Sequence, residues 1–288
     1  MPQVSTPISN LTVANGDALT WGVRTYVMGI INLTPDSFSG DGLGADVESA
    51  VEQALRFQEE GADILDIGAE STRPGHEQIS INEELYRLIP ALEAVAKRVN
   101  IPISVDTYKA EVAKRAVNAG AVIINDIWGL KSESDLAQVA AETGAGMVLM
   151  HNQTGTNYVN LIPDIVSSLR DSVGTALEAG VPRENIIVDP GIGFGKNPDQ
   201  NLVILNQLNQ LTEIGCPVLT GTSRKSTLGL LLDLPPDERV EGTAATVSLS
   251  IVRGTDIVRV HDVKEMVRIC RVTDAIVRSW RPKGWKAS

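Results

Sequence analysis

The stretch Asp189-Pro-Gly-Ile-Gly-Phe-Gly-Lys196 sets a carboxylate, three alternate glycines and a lysine directly after the short apolar run Asn185-Ile-Ile-Val188. A charge at a strand's end, slim backbone and a lysine together suggest a loop that cradles phosphate. The spacing excludes the two common versions. The P-loop pattern G-x-x-x-x-G-K-[ST] would need glycine at Pro190 and Ser or Thr at Asn197. The dinucleotide pattern G-x-G-x-x-G would need glycine at Lys196. Lys196, with Asn197-Pro198 after it, reads as a solvated loop lysine and receives no role. What remains is a strand-end carboxylate, and the question is what it faces.

Other apolar runs end in the same way. Tyr26 to Ile31 runs into Asn32, Ile101 to Val105 into Asp106, and Ala121 to Ile124 into Asn125-Asp126. Met147 to Met150 runs into His151, Pro217 to Leu219 into Thr220-Gly-Thr-Ser223, and Asp256 onward into Arg259-Val-His261. Asp106, Asn125 and Asp189 offer carboxylates and an amide, which suit the N–H edge of a flat heterocycle. Lys225 is placed to donate to a ring carbonyl. Arg73, Arg259 and His261 offer positive or donor groups for an anion such as phosphate. Asn32, Asp36 and Asp41 are hard oxygen ligands suited to Mg2+, which keeps water and phosphate in its shell. Each residue also has a purely structural use. Asp106 can cap the following helix, Asp189-Pro190 can be a simple turn, and Arg259 can pair with Asp262 or Glu265 on the surface. No Ser–His or Cys–His pair reads as a covalent nucleophile.

The elements that must position these groups alternate. After a tail, Leu11 to Val13, a turn at Asn15-Gly16 and Leu19 to Trp21 predict a β-hairpin. Apolar strands then alternate with helical stripes such as Val47, Ala50, Val51, Ala54 and Leu55. Helices are predicted over about 82–99, 108–118, 134–143, 162–179 and 199–211, in two pieces around Pro235-Pro236, and from Val263 to Trp280. Eight strand–helix units of this kind predict an α/β fold, a (β/α)8 TIM barrel with an N-terminal β-hairpin, whose sites lie at the strands' C-terminal ends. A doubly wound open sheet would expect fingerprint glycines after the first strand, where Asn32-Leu-Thr-Pro stands. The expected division is a tail and hairpin at 1–25, one barrel at 26–280 and a tail at 281–288.

The composition is that of an ordinary globular chain: 288 residues, 43% hydrophobic and 21% charged, with a net charge of −11. That charge argues against a nucleic-acid partner. No run reaches transmembrane length and no signal peptide is evident, so a cytoplasmic protein without a membrane partner is expected. Cys216 and Cys270 have no metal or redox spacing and read as reduced core thiols. His76, His151 and His261 are too scattered for a histidine metal cage.

Several stretches occur together in a telling order: Asn32-Leu-Thr-Pro-Asp-Ser-Phe-Ser39, Asp66-Ile-Gly-Ala-Glu-Ser-Thr-Arg-Pro-Gly75, Asp106-Thr-Tyr-Lys109, Asp189 to Lys196, Ser223-Arg-Lys-Ser226 and Arg259-Val-His261. From about residue 26 to 279 the chain resembles the dihydropteroate synthase family of pterin-binding barrels, folate-pathway enzymes inhibited by sulfonamides. The resemblance implies a homodimer and two small-molecule substrates, a dihydropterin methyl diphosphate and 4-aminobenzoate. It implies pterin binding by Asp106, Asn125, Met150, Asp189, Phe194 and Lys225, with Asp106, Lys225 and Arg259 catalytic. It implies diphosphate contacts from Asn32, Thr72, Arg73, Arg259 and His261, and Asn32 as the protein ligand of Mg2+. Phe38, Thr72, Pro74, Ser223 and Lys225 would border the aminobenzoate. Asn152-Gln-Thr-Gly-Thr-Asn157 departs from the family's Met-Gln-Gly-Thr-Pro-like stretch, and Ser39-Gly-Asp-Gly42 from its Ser-Asp-Gly-Gly. The alternatives are a barrel that transfers methyl from methyltetrahydrofolate to a corrinoid protein, and a non-catalytic pterin-binding module. The first would not need Arg73, the Asn32 to Phe38 loop or Ser223-Arg-Lys225, and the second would not need the diphosphate groups Asn32, Arg73 and Arg259.

Overall fold

A computed structural model describes residues 11–12, 18–33, 47–70 and 78–286. Strand β1 (Leu11–Thr12) pairs antiparallel with β2 (Ala18–Leu19), giving the expected hairpin, whose turn lies outside the described residues. The alternating units are β3 (Tyr26–Asn32), α1 (Val47–Glu60), β4 (Ile64–Gly68), α2 (Ile81–Ala96), β5 (Ile103–Asp106), α3 (Ala110–Asn118), β6 (Ile123–Asp126) and α4 (Asp135–Thr143). They continue as β7 (Gly146–Met150), α5 (Leu161–Glu178), β8 (Ile186–Asp189), α6 (Pro198–Asn206), β9 (Leu219–Thr220), α7 (Ser226–Leu232), α8 (Val240–Val252), β10 (Ile257–Val260) and α9 (Val263–Val277). Strands β3 to β10 form one parallel sheet, and β10 pairs back onto β3. Between β8 and β9 the closure is an isolated bridge, Val188 to Val218, where the Val188 N–H donates to Pro217 O at 2.9 Å. The result is the expected (β/α)8 barrel.

Strands β5 and β6 begin two residues later than expected, at Ile103 and Ile123. As expected, strands end on polar residues: Asn32, Asp106 and Asp189 are last in theirs and Asn125 is next to last. Ladder hydrogen bonds are made by backbone groups and are indifferent to side-chain polarity, so pairing runs on after the apolar run stops. The helix expected over 199–211 ends at Asn206 and a tighter turn follows at Leu208–Ile214. Its start is fixed by a reciprocal cap: Gln200 N donates to Asn197 Oδ1 at 2.9 Å and Asn197 N to Gln200 Oε1 at 2.8 Å.

Strand side chains alternate between two cores. Val27, Ile31, Leu65, Ile67, Val105 and Ile124 point outward and pack under the helices. Met28, Ile64, Ile123, Val148, Ile187 and Ile257 point inward and fill the lower barrel with Leu19 and Trp21. The hairpin therefore has a structural task. Trp21, 4% exposed, meets Tyr26 edge to face at 5.4 Å, and together they floor the barrel beneath the polar mouth. Below them, Arg24 pairs with Asp63, and Asp274 of α9 accepts from Thr25 N at 2.7 Å and Thr25 Oγ1 at 2.9 Å.

The Trp21 ring is expected to matter for stability through packing alone, since its buried Nε1 has no partner. Trp21→Ala should cost about 3–5 kcal/mol. Trp21→Phe should cost roughly half of that or less, because it keeps an aromatic edge and removes the unpaired donor. Urea unfolding followed by circular dichroism compares the two. Equal losses would show that the ring does not seal the floor.

Candidate active site

The mouth follows from the same alternation that fills the floor. Two residues beyond each inward side chain of the lower barrel, the face is unchanged. Ile64 is followed by Asp66, Ser104 by Asp106, Ile123 by Asn125, Val148 by Met150, Ile187 by Asp189 and Ile257 by Arg259. All of these upper residues are buried except Arg259, which is half-buried. Asn32 ends β3 in the same layer and is half-buried. The sheet thus carries an apolar lower barrel and a polar upper one.

Arg259 organises the polar layer. Its Nε donates to Asp66 Oδ2 at 2.6 Å and its Nη2 to Asp106 Oδ2 at 2.8 Å. Asn125 Nδ2 donates to the same Asp66 oxygen at 3.0 Å. The surface pairing of Arg259 with Asp262 does not form, because Asp262 is held by Arg224 through two hydrogen bonds. Burial opposes the charge on Arg259, but Asp66 and Asp106 more than offset it and hold its pKa above the usual value. Burial pushes Asp106 up to about 7, against the pull of Arg259 and with a further push from Asp66. Asp66 Oδ1 and Asp106 Oδ1 are buried with no hydrogen-bond partner. A buried carboxylate oxygen without a donor is costly, and at Asp106 it is an open acceptor for a ligand. Asp106 also does not cap the next helix, which starts at Ala110 with Lys109 at the N-cap.

Asp189 is both a turn residue and a site residue. Its Oδ1 accepts from Gly191 N at 2.7 Å. Burial raises it to about 6, despite that bond and the nearby charges of Lys225, Lys196 and Arg259. The loop that follows lies flat on the end of β7. At Gly191 (φ +70°) a Cβ would stand 2.0 Å from His151 O, so only glycine lets the backbone approach so closely. At Gly193 a Cβ would stand 3.1 Å from Lys225 Cδ. The missing side chain leaves the channel through which Lys225 reaches Phe194, its Nζ 4.2 Å from the ring centroid. Burial lowers Lys225 to about 8, with Arg259 pushing the same way and Asp189 and Asp106 opposing. Met150, which is buried, lies against this loop at Gly191, and Phe194, half-buried, belongs to the loop itself.

The far side of the mouth is built by the β9 and β10 ends. Ser223 Oγ accepts from His261 N at 3.1 Å and lies 3.0 Å from His261 Nδ1. Burial, with Arg259 and Arg224 adding to it, pushes His261 down to about 3. Of the two roles expected for His261, positive or donor group, burial therefore leaves that of a neutral donor. When the Ser223 hydroxyl donates to Nδ1, Nε2 carries the proton and is a donor. Asn125 and Asp126 separate: Asn125 faces the mouth, while Asp126 accepts from Trp128 N at 2.8 Å and Leu130 N at 2.6 Å and holds its own loop.

Gly68 pairs with Asn32 on one side and Asp106 on the other. A Cβ there would come within 3.1 Å of Asp106 Cβ, so its absence keeps space beside the carboxylate. Behind Asp106, the buried Lys109 ammonium donates to Glu70 Oε2 at 2.5 Å, Glu84 Oε2 at 2.7 Å and Ile79 O at 2.7 Å. This fixes the residues on both sides of 71–77. Phe38, Thr72, Arg73 and Pro74, like Asp36 and Asp41, lie outside the described residues.

Three groups escaped the sequence reading. Asp66 received no role, although a charge inside the apolar run Ile64-Leu-Asp-Ile67 was a signal that a buried partner must exist. Lys109 and Glu84 are close only in space and left no local signal. Lys196, read as solvated, is buried instead, with its Nζ against His151 and Phe194.

The chain matches the model of the family described as pterin binding enzyme over residues 28–261. It is 53% identical over 260 residues to the dihydropteroate synthase of Bacillus subtilis, covering 90% of this chain and 91% of that one. The structure of the Clostridium difficile dihydropteroate synthase, solved in the presence of pteroic acid, superposes with a TM-score of 0.88 at 47% identity, over 90% of this chain and 98% of the other. That of Xanthomonas albilineans, with 4-aminobenzoic acid, also gives 0.88, at 40% identity over 94% and 98%. The chain belongs to the pterin-binding enzyme family and, within it, to the dihydropteroate synthases.

Proposed function

We propose that the polar mouth of the barrel is the pterin slot in which this dihydropteroate synthase joins a dihydropterin methyl diphosphate to 4-aminobenzoate, releasing diphosphate. The observation that carries this assignment is the open acceptor of Asp106. It lies in a layer where another carboxylate, Asp189, acts with it on the same Lys225. Asp106 and Asp189, with the amide of Asn125, would accept from the N–H edge of the ring, and Lys225 would donate to its carbonyl. Met150 and Phe194 would wall the slot. Ser223 and the stem of Lys225 would border the aminobenzoate, with Phe38, Thr72 and Pro74.

The reaction breaks the carbon–oxygen bond of the methyl diphosphate and forms a carbon–nitrogen bond to the arylamine, which then loses a proton. The residues suit departure of the leaving group ahead of attack. Negative charge on Asp106 would favour positive charge spreading from the exposed carbon into the ring. Arg259 would share its charge between Asp106 and the departing diphosphate. Arg73 and Thr72 would add to that region, with His261 as a neutral donor. The family resemblance implies Mg2+, and Asn32 fits it as a hard oxygen donor at the mouth. Among the described residues no cluster of acidic or sulfur ligands could hold a metal alone. The ion would then take most of its shell from diphosphate and water, and when bound it would neutralise charge on the leaving group.

A homodimer is supported by apolar side chains left in solvent on neighbouring helices: Val252 of α8, and Val272 and Ile276 of α9, the last 77% exposed. The free buried cysteines are in keeping with a reducing, cytoplasmic setting. Among the described residues no helix is long and apolar enough to cross a membrane.

Diphosphate release that requires 4-aminobenzoate, with dihydropteroate detected by mass, is the expected activity. In that assay Asp106→Asn should lower kcat about 100-fold while changing pterin affinity far less. Equal losses in both would make Asp106 a binding group only.

The raised carboxylates also predict a pH profile. Below about 6 the Asp189 carboxyl holds a proton and can no longer accept two N–H donors. Affinity for a neutral dihydropterin alcohol should therefore fall as pH drops below about 7, as Asp106 and then Asp189 take up protons, by up to about tenfold per unit for each proton. Calorimetry between pH 5 and 8 measures it, and Asp189→Asn should bind weakly with a flatter slope. A flat profile in the parent chain would remove Asp189 from the slot. For the oligomer, Ile276→Glu should convert a dimer to a monomer in sedimentation, and an unchanged mass would move the interface elsewhere.

A further inference from the structure

Lys196 is 8% exposed, although Asn197 and Pro198 beside it are exposed. Its Nζ lies 2.8 Å from Phe194 O, 3.2 Å from His151 O and 3.0 Å from His151 Nδ1. An ammonium has three N–H donors and no acceptor, so these contacts use all of them. His151 can supply the ring acceptor because burial, aided by the charges of Lys196 and Lys131, holds it neutral, with its pKa down at about 3. Two of the three acceptors belong to the residue that follows β7. The third belongs to the loop that follows β8.

Further contacts press the same two segments together. A Cβ on Gly195 would stand 2.5 Å from Gln153 O, and Tyr158 Oη donates to Gly195 O at 2.8 Å. Gly193 N donates to Asn201 Oδ1 at 2.9 Å, which anchors the loop from its other side. Phe194 sits between these anchors. Fixing its carbonyl fixes the peptide plane, and with it the direction in which the ring leaves the backbone. That ring is the surface over which Lys225 Nζ lies at 4.2 Å.

We propose that Lys196 is a positioning residue for the pterin slot: its ammonium staples the Asp189–Lys196 loop to the end of β7 and thereby sets the Phe194 ring against Lys225. This rests on the reading of the mouth as the pterin slot. Lys196 makes no hydrogen bond to Lys225 or to the open carboxylate oxygens; its charge reaches Asp189 through space, and its hold on the loop geometry runs through the Phe194 carbonyl. Loss of the ammonium would leave the His151 and Phe194 carbonyls without this donor and let the ring turn.

The test compares Lys196→Met, Phe194→Ala and the double variant in the full chain, by pterin dissociation constant and steady-state kinetics. Lys196→Met should raise the pterin Kd and KM about tenfold, as for one lost charge-assisted hydrogen bond, and leave kcat within about twofold. In the Phe194→Ala background the same change should add less than about twofold, because the ring to be positioned is gone. Unchanged affinity in Lys196→Met, or losses that simply multiply in the double variant, would overturn the proposal. If Lys196→Met does not fold, Lys196→Gln keeps two N–H donors without the charge and should raise Kd about threefold; parental affinity there would overturn it equally. Asp189→Asn separates the two levels. If it leaves pterin affinity unchanged, the slot reading falls and the proposal with it. If it weakens binding while Lys196→Met does not, only the role of Lys196 falls.

Discussion

A guanidinium shared between two buried carboxylates is the interaction on which the upper barrel depends. Arg259 is anchored to Asp66, which is fully enclosed, and reaches Asp106 with its other edge. Such a group is a poor way to gain stability. Desolvating three charges costs several kcal/mol each, and well-packed apolar side chains would serve the core better. Its value lies in what it leaves over. Burial pushes Asp106 up to about 7, and one of its oxygens remains unpaired in a site of low dielectric. An open carboxylate oxygen in a water-poor mouth is an acceptor for a ligand that brings N–H donors.

The second constraint is how closely the Asp189–Lys196 loop lies on its neighbours. Its alternate glycines are not a phosphate nest. They allow backbone to touch backbone at His151 and Gln153, and they leave room for the Lys225 side chain. The consequence is electrostatic as well as steric. Excluding water from the loop raises Asp189 and lowers Lys225 and Lys196, so all three titrate closer to neutrality than free side chains would. Perturbed groups of both signs gathered at one barrel mouth are what binding and catalysis require.

The floor makes this mouth tolerable. Stability comes from the continuous apolar layers below, with Trp21 and Tyr26 closing the lower end, and from the outer core between sheet and helices. Polar strand ends can then be spent on chemistry because the strands that carry them are held two residues earlier by ordinary packing. Asp66, one step above Ile64, shows how abruptly the two regimes meet.

The sequence by itself determined the barrel and most of the mouth. Apolar runs of strand length, alternating with helical stripes, fix a parallel sheet because both are local patterns set by backbone periodicity. The polar residue ending each run marks the mouth for the same reason, and so Asp106, Asn125, Asp189 and Arg259 were legible. Tertiary structure decided everything that depends on which residues become neighbours. It sent Arg259 to Asp66 and Asp106 because Asp262 is claimed by Arg224, and burial made His261 neutral. It brought Lys109 to Glu70 and Glu84, and it enclosed Lys196, which local composition places in solvent. Partnership and desolvation are properties of folded neighbourhoods; no spacing along the chain encodes them, and they move the titration of Asp106, Asp189, Lys225 and His261.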